Sequence, residues 1–118
     1  MAPVVAAIEL VLDVADLERM ATFYGAALGY VPRGAVAQYS ALAPPAGEHG
    51  PALILQRVEE PKRVKNRLHM DIKAADVDAE VARLESLGAT RVQRYDEVGT
   101  NWVLMSDPEG NELCVCKA

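Results

Sequence analysis

The sequence predicts an α+β fold built from two βαβββ modules. Three observations carry that expectation. Several segments alternate apolar and polar residues with a strict period of two, two segments carry helical spacing between an aspartate and a glycine, and the pattern of the first half returns in the second. At 118 residues the chain has the length of one domain, 1–118, with module one over about 5–58, a linker at 59–65 and module two over about 66–117. Hydrophobic residues make up 51% and charged residues 25%, an ordinary globular balance. A chain of this size buries roughly two-thirds of its unfolded surface. A disordered chain, a coiled coil and a disulfide mini-protein are excluded.

The elements follow in order. Ala6 to Val14 alternates, with Ile8, Leu10, Leu12 and Val14 on one face and Glu9, Val11 and Asp13 on the other, which reads as a half-buried strand. Asp16 is placed to cap a helix through Leu28, whose Leu17, Met20, Phe23, Tyr24, Ala27 and Leu28 recur at helical spacing, and Gly29 ends it. Tyr30 to Leu42 reads as two short strands turning near Arg33–Gly34. Ala43 to Pro51 is a Pro/Gly loop with His49 on its surface, Ala52 to Val58 a fourth strand, and Glu59 to Lys65 a charged linker. The second half repeats the order. Arg67 to Lys73 alternates, Asp76 caps a helix ending at Leu87 before Gly88, and Thr90 to Tyr95 and Asn101 to Ser106 are strands. Asp107 to Asn111 (DPEGN) is a tight turn into the last strand, Glu112 to Lys117.

The repeat pairs Glu9 with His69 on the first strands and Gln56 with Cys114 on the last strands. Period two expects Ile8, Leu10, Leu12, Leu68, Met70, Ile72, Leu113 and Val115 under the helices. It leaves Glu9, Asp13, Gln56, Arg67, His69, Asp71, Glu112, Cys114 and Cys116 on the other face.

Net charge is −5, from 12 basic and 17 acidic residues, with no basic stripe, so nucleic acid is not the expected partner. Aromatic residues, at 5%, are few for a base-stacking platform. No apolar run is long enough to span a bilayer, and Met1 to Ala7 has no basic n-region or cleavage pattern, so no membrane partner and a cytoplasmic location are expected. Cys114 and Cys116 alternate on a strand, with Cα atoms about 7 Å apart, at the outer limit for a disulfide. Two thiols in a reducing compartment are expected.

The stretches "LVLDVADLERMATFYGAALGY", "NRLHMDIKAADVDAEVARLESLGA" and "SDPEGNELCV" resemble the vicinal oxygen chelate superfamily, which includes glyoxalase I, bleomycin-resistance proteins and extradiol dioxygenases. "LILQRVEEPKRVKNRLHMDI" is similar to a glyoxalase-like subgroup common in actinobacteria. The resemblance implies curved mixed sheets forming a half-open barrel cleft with the helices outside, and a homodimer. It also implies a metal position on the first and last strand of each module. Those positions map to Glu9, Gln56, His69 and Cys114. Glu9 and His69 are credible ligands, and Gln56 offers only a neutral oxygen. Cys114 departs from the family's carboxylate; its thiolate suits zinc rather than magnesium or manganese. Dioxygenase chemistry is disfavoured, because a 2-His-1-carboxylate triad is not available.

Each residue has a plainer reading. His69 can be a cleft histidine bonded to Glu9 or Asp71, Glu9 a partner of Arg67 or His69, and Gln56 an orienting amide. Cys114 and Cys116 can be small strand residues. Lys62, Arg63, Lys65 and Arg67 form a solvated linker or an anion clamp. Tyr24 and Trp102 can be core, or Tyr39, Tyr95 and Trp102 can line the cleft. The degraded metal set favours a small-molecule-binding protein of the glyoxalase/bleomycin-resistance type without a resident metal. It would hold an apolar or aromatic ligand through Glu9, Gln56, Arg67, His69, Asp71, Trp102 and Cys114. Two alternatives stand beside it: a zinc-dependent lyase or isomerase using Glu9, Gln56, His69 and Cys114, and a metal-free acid–base enzyme using His69 and Glu9. Whether the chain is an enzyme is left open.

Overall fold

The computed structural model describes residues 7–97 and 100–118, so the proposed strand start at Ala6 and most of the Met1 to Ala7 segment lie outside the described residues. The order is β1 (Glu9–Val14), α1 (Leu17–Leu28), β2 (Val31–Val36), β3 (Tyr39–Ala43), β4 (Ala52–Arg57), β5 (Met70–Ala74), α2 (Val77–Leu87), β6 (Thr90–Glu97), β7 (Thr100–Ser106) and β8 (Glu112–Lys117). The chain divides into two compact units, Met1–Pro61 and Lys62–Ala118. Each holds a four-stranded mixed sheet, in the orders β1-β4-β3-β2 and β5-β8-β7-β6. In each, the first strand runs parallel to the last and the other pairs are antiparallel. This is the expected α+β repeat of βαβββ modules.

The helices begin and end alike for the same reason. The side chains of Asp16 and Asp76 accept from the Arg19 and Ala79 amides, each at 3.0 Å, satisfying a donor that the first helical turn leaves unpaired. Gly29 and Gly88 take left-handed backbone at φ 67° and 116°, where a side chain would be strained. Asp76→Ala is expected to cost about 1 kcal/mol. Its readout is a lower denaturant midpoint with an unchanged slope, and an unmoved midpoint would refute the cap's contribution.

In the first unit α1 packs on β3 and β4, burying Met20, Phe23, Tyr24 and Ala27 against Val14, Leu42, Leu53 and Leu55. In the second, α2 packs chiefly on β8 and β6, and Val77, Val81 and Leu84 are buried with Val103, Met105, Leu113 and Val115.

Three expectations are corrected. The first hairpin turns after Val36, at Ala37 and Gln38, while Gly34 sits at an irregularity between Pro32 and Gly34. Ala37 absorbs the turn with φ 51°. β5 begins at Met70, so Arg67, Leu68 and His69 precede it. Ile8 and Leu68 are 68% and 73% exposed rather than packed under helices. Both lie ahead of sheet-edge strands, beyond the first paired residue, and the helices do not cover them. Leu10, Leu12, Met70 and Ile72, on those edge strands, are only half-buried.

Candidate functional site

The second unit's sheet has one face under α2 and one open face. A turn sets where that open face begins. Asp107 Oδ1 accepts from the amides of Glu109 and Asn111, at 2.8 and 2.9 Å, and its Oδ2 accepts from Asn111 Nδ2 at 3.0 Å. Asn111 Oδ1 in turn accepts from Asn66 Nδ2, while the Glu112 carboxylate accepts from Lys62 Nζ and the Asn66 amide. The chain entering β5 is thereby tied to the chain entering β8. Burial opposes ionisation of Glu112, but the Lys62 and Asn66 bonds outweigh it and hold its carboxyl below the usual range.

Alternation then places the side chains. Asp71 and Lys73 on β5 stand opposite Cys114 and Cys116 on β8. Cys114 and Cys116 stand opposite Leu104 and Trp102 on β7, and Trp102 opposite Tyr95 on β6. His69, Asp71, Lys73, Trp102, Cys114 and Cys116, with Thr100, Asn101 and Lys117 at one end, line a pocket of about 320 Å³.

His69 Nε2 lies 3.3 Å from Asp71 Oδ1. One donor atom each from His69, Asp71 and Cys114 falls within 4.8 Å of the others. Burial pushes the Cys114 thiol up to about 11, and the charge of Asp71 and the neighbouring Cys116 add to it, with Lys65 opposing. Burial and Asp71 also push Cys116 up. Both cysteines are free, and both are protonated thiols at neutral pH rather than ready nucleophiles. Trp102 stacks on Tyr95 with ring centroids 5.0 Å apart and planes 12° from parallel.

The second unit thus brings together His69, Asp71, Trp102 and Cys114 of the expected set. Arg67 is exposed ahead of β5 and does not line the pocket. Glu9 and Gln56 belong to the first unit's sheet, where Glu9 pairs with Ala52 and Gln56 with Asp13. They stand four rungs apart, about 13 Å along the strands. The carboxylate that His69 faces is Asp71. The pairing of Gln56 with Cys114 is corrected: Ala52 corresponds to Glu112 and Leu17 to Val77, each 60 residues on, so Gln56 matches Cys116 and Cys114 matches Ile54. Lys62 is held by Glu112 and leaves the basic run, and Glu112 is turned to the linker rather than to the open face. Tyr24 is core, 2% exposed, and Tyr39 lines a separate groove beside α1 in the first unit. Lys73, Thr100, Asn101 and Lys117 also line the pocket, outside the expected set. Lys73 was legible, since it continues the alternation of His69 and Asp71.

A family model described as a glyoxalase-like domain matches residues 9–116. The chain belongs to that family. Among solved structures, this glyoxalase-like domain is similar to the fosfomycin resistance protein FosX from Listeria monocytogenes, with a TM-score of 0.79 and 12% identity over 98% of this chain and 95% of that one. A second structure of Listeria FosX, complexed with Mn(II) and 1S,2S-dihydroxypropylphosphonic acid, gives 0.77 and 12% over 96% and 90%. Lactoylglutathione lyase from Agrobacterium tumefaciens gives 0.69 and 21% over 98% and 96%. At such identities the likeness shows the fold alone, and the family rests on the matching glyoxalase-like model. No curated protein sequence matches the chain. Among the described residues, no helix is long and apolar enough to cross a membrane.

Proposed function

We propose that this domain binds a small molecule in the pocket on the open face of its second unit. The observation that carries the reading is convergence. Trp102, whose ring stacks on Tyr95, a His–Asp pair and the small thiol side chains of Cys114 and Cys116 meet in one cavity of about 320 Å³. Apolar area with a few placed polar groups is the usual make-up of a ligand site. His69 and Asp71 orient the ligand through hydrogen bonds, and Trp102 supplies flat contact area. Glu9, Gln56 and Arg67 do not line this pocket and remain ligand-contact candidates from the sequence alone. The free thiols fit a cytoplasmic protein, and a homodimer is proposed from the family resemblance alone. The test is a thermal-shift screen of aromatic metabolites and antibiotics. A ligand at 100 times its Kd stabilises by about 2.7 kcal/mol. A binder whose shift shrinks in Trp102→Leu and His69→Ala is the expected result, and binders indifferent to both substitutions would remove the ligand from this pocket.

A second reading has its own observation: the nitrogen, oxygen and sulfur donors of His69, Asp71 and Cys114 within 4.8 Å. That donor set fits zinc, which accepts all three, better than manganese. The ion would polarise a substrate oxygen. These residues would hold it, and Cys114 would have to give up its proton to do so. Zinc retained near one equivalent by elemental analysis, and lost in His69→Ala and Cys114→Ala, is what this reading expects. No metal above background after loading, with the fold intact, would end it.

A further inference from the structure

One rung of the second unit's sheet runs Lys73, Cys116, Trp102, Tyr95 across β5, β8, β7 and β6. The Tyr95–Trp102 centroid distance of 5.0 Å nearly equals the ~4.8 Å spacing of neighbouring strands. Near-parallel rings at that spacing stand upright on the sheet and face each other. Tyr95 therefore covers one face of the indole, and the other face looks along the rung over Cys116. Cys116 is short, so the space above it is open, and it belongs to the pocket lining together with Trp102 and Lys73. Lys73 closes the rung about 10 Å from Trp102 by strand spacing.

The polar groups around that gap favour one sign of charge. Lys73 is exposed, and no carboxylate pairs with it among the described residues. Lys117 lines the same end, its ammonium donating to the Ala75 carbonyl. Asn101 Oδ1 already accepts from Arg94 Nη1 at 2.8 Å, which leaves its NH₂ group as the donor it can offer. Asp71 also lines the pocket, 3.3 Å from His69 Nε2, and bears on Cys116 through its charge and a side-chain hydrogen bond, so the cationic end is the one at Lys73 and Lys117.

We infer that the pocket takes a planar aromatic anion, its ring stacked third in line after Tyr95 and Trp102 above Cys116, and its acid group at Lys73. The inference rests on reading the pocket as a small-molecule site and names the class of ligand. A ring at about 3.5 Å from the indole occupies the gap over Cys116. A carboxylate or phosphonate on its far edge then meets the Lys73 ammonium in a charge-assisted contact. An aryl cation would gain from the indole face but would meet two ammonium groups at the same end.

Trp102 is the chain's one tryptophan, so its fluorescence reports this pocket alone. The probes are benzoate, phenylphosphonate, benzamide and benzylammonium, titrated against the whole chain, with affinities checked by calorimetry. Benzoate and phenylphosphonate are expected to perturb Trp102 and to bind at least about tenfold tighter than benzamide, with benzylammonium weakest. Lys73→Gln should weaken benzoate about tenfold and leave benzamide unchanged. If benzamide or benzylammonium binds as well as benzoate, or if Lys73→Gln leaves benzoate untouched, the anionic class is wrong while the pocket reading survives. If none of the four perturbs Trp102 at millimolar concentration, both fail together.

Discussion

Asp107→Ala is expected to destabilise the chain by about 2–4 kcal/mol, a loss of roughly 10 °C in Tm for a domain of this size. Asp107 and Asn111 are 2% and 4% exposed, so water cannot easily replace what the substitution removes. The Asp107 carboxylate accepts from Asn111 Nδ2 and from two backbone amides, the buried one of Asn111 and the part-buried one of Glu109. Leaving buried donors unsatisfied costs more than a typical hydrogen bond contributes. The turn also carries Gly110 at φ 91°, a conformation the carboxylate helps to hold. Asp107→Asn keeps one oxygen acceptor but turns an amide toward Asn111 Nδ2, so its loss should be intermediate. Chemical unfolding ranks the three. Equal stability of wild type and Asp107→Ala would mean the turn forms without its anchor, and the DPEGN motif would then be only a turn composition.

The sequence made the modules legible where local chemistry and tertiary packing agree. Asp16, Gly29, Asp76 and Gly88 bound the helices because capping needs only residues within one turn. β4 alternates buried and half-buried residues because α1 covers one of its faces. The misses lie at edges. Nothing local distinguishes Leu68 from Met70 in "RLHM"; what separates them is the ladder, which starts at the Met70–Leu113 pair. The first hairpin was placed at Arg33–Gly34 because glycine is the usual turn residue. The actual turn uses Ala37 at positive φ, and Gly34 instead serves the irregularity.

The site was legible by face and not by rung. Alternation put His69, Asp71, Cys114 and Cys116 together, and that depends only on period two. The match of Gln56 with Cys114 was two residues out, which keeps the face and loses the neighbour. Register comes from hydrogen-bonded pairing between segments about 40 residues apart, which composition does not encode. Trp102 shows the same limit. Spacing allowed core or cleft, and its place on the open face follows from standing opposite Cys116 while Val103, next in sequence, is fully buried.

Cys114 links this site to stability at high pH. Its thiol rises from the ordinary 9.0 to about 11 because burial penalises the thiolate, with Asp71 and Cys116 adding to the effect. Between those two values the unfolded chain has lost this proton while the folded chain keeps it. The stabilisation is therefore fully present below pH 9 and is lost as pH rises through 11, a total of about 2–3 kcal/mol. Cys116, raised for the same first reason, acts in the same direction. The contribution is read as a difference between wild type and a variant. Denaturant unfolding of wild type and Cys114→Ala across pH 9 to 11 should give a shallower decline in the variant, whatever its stability at neutral pH. Parallel declines would mean that Cys114 ionises as an exposed thiol does, and that the wall of the pocket around it is open to water.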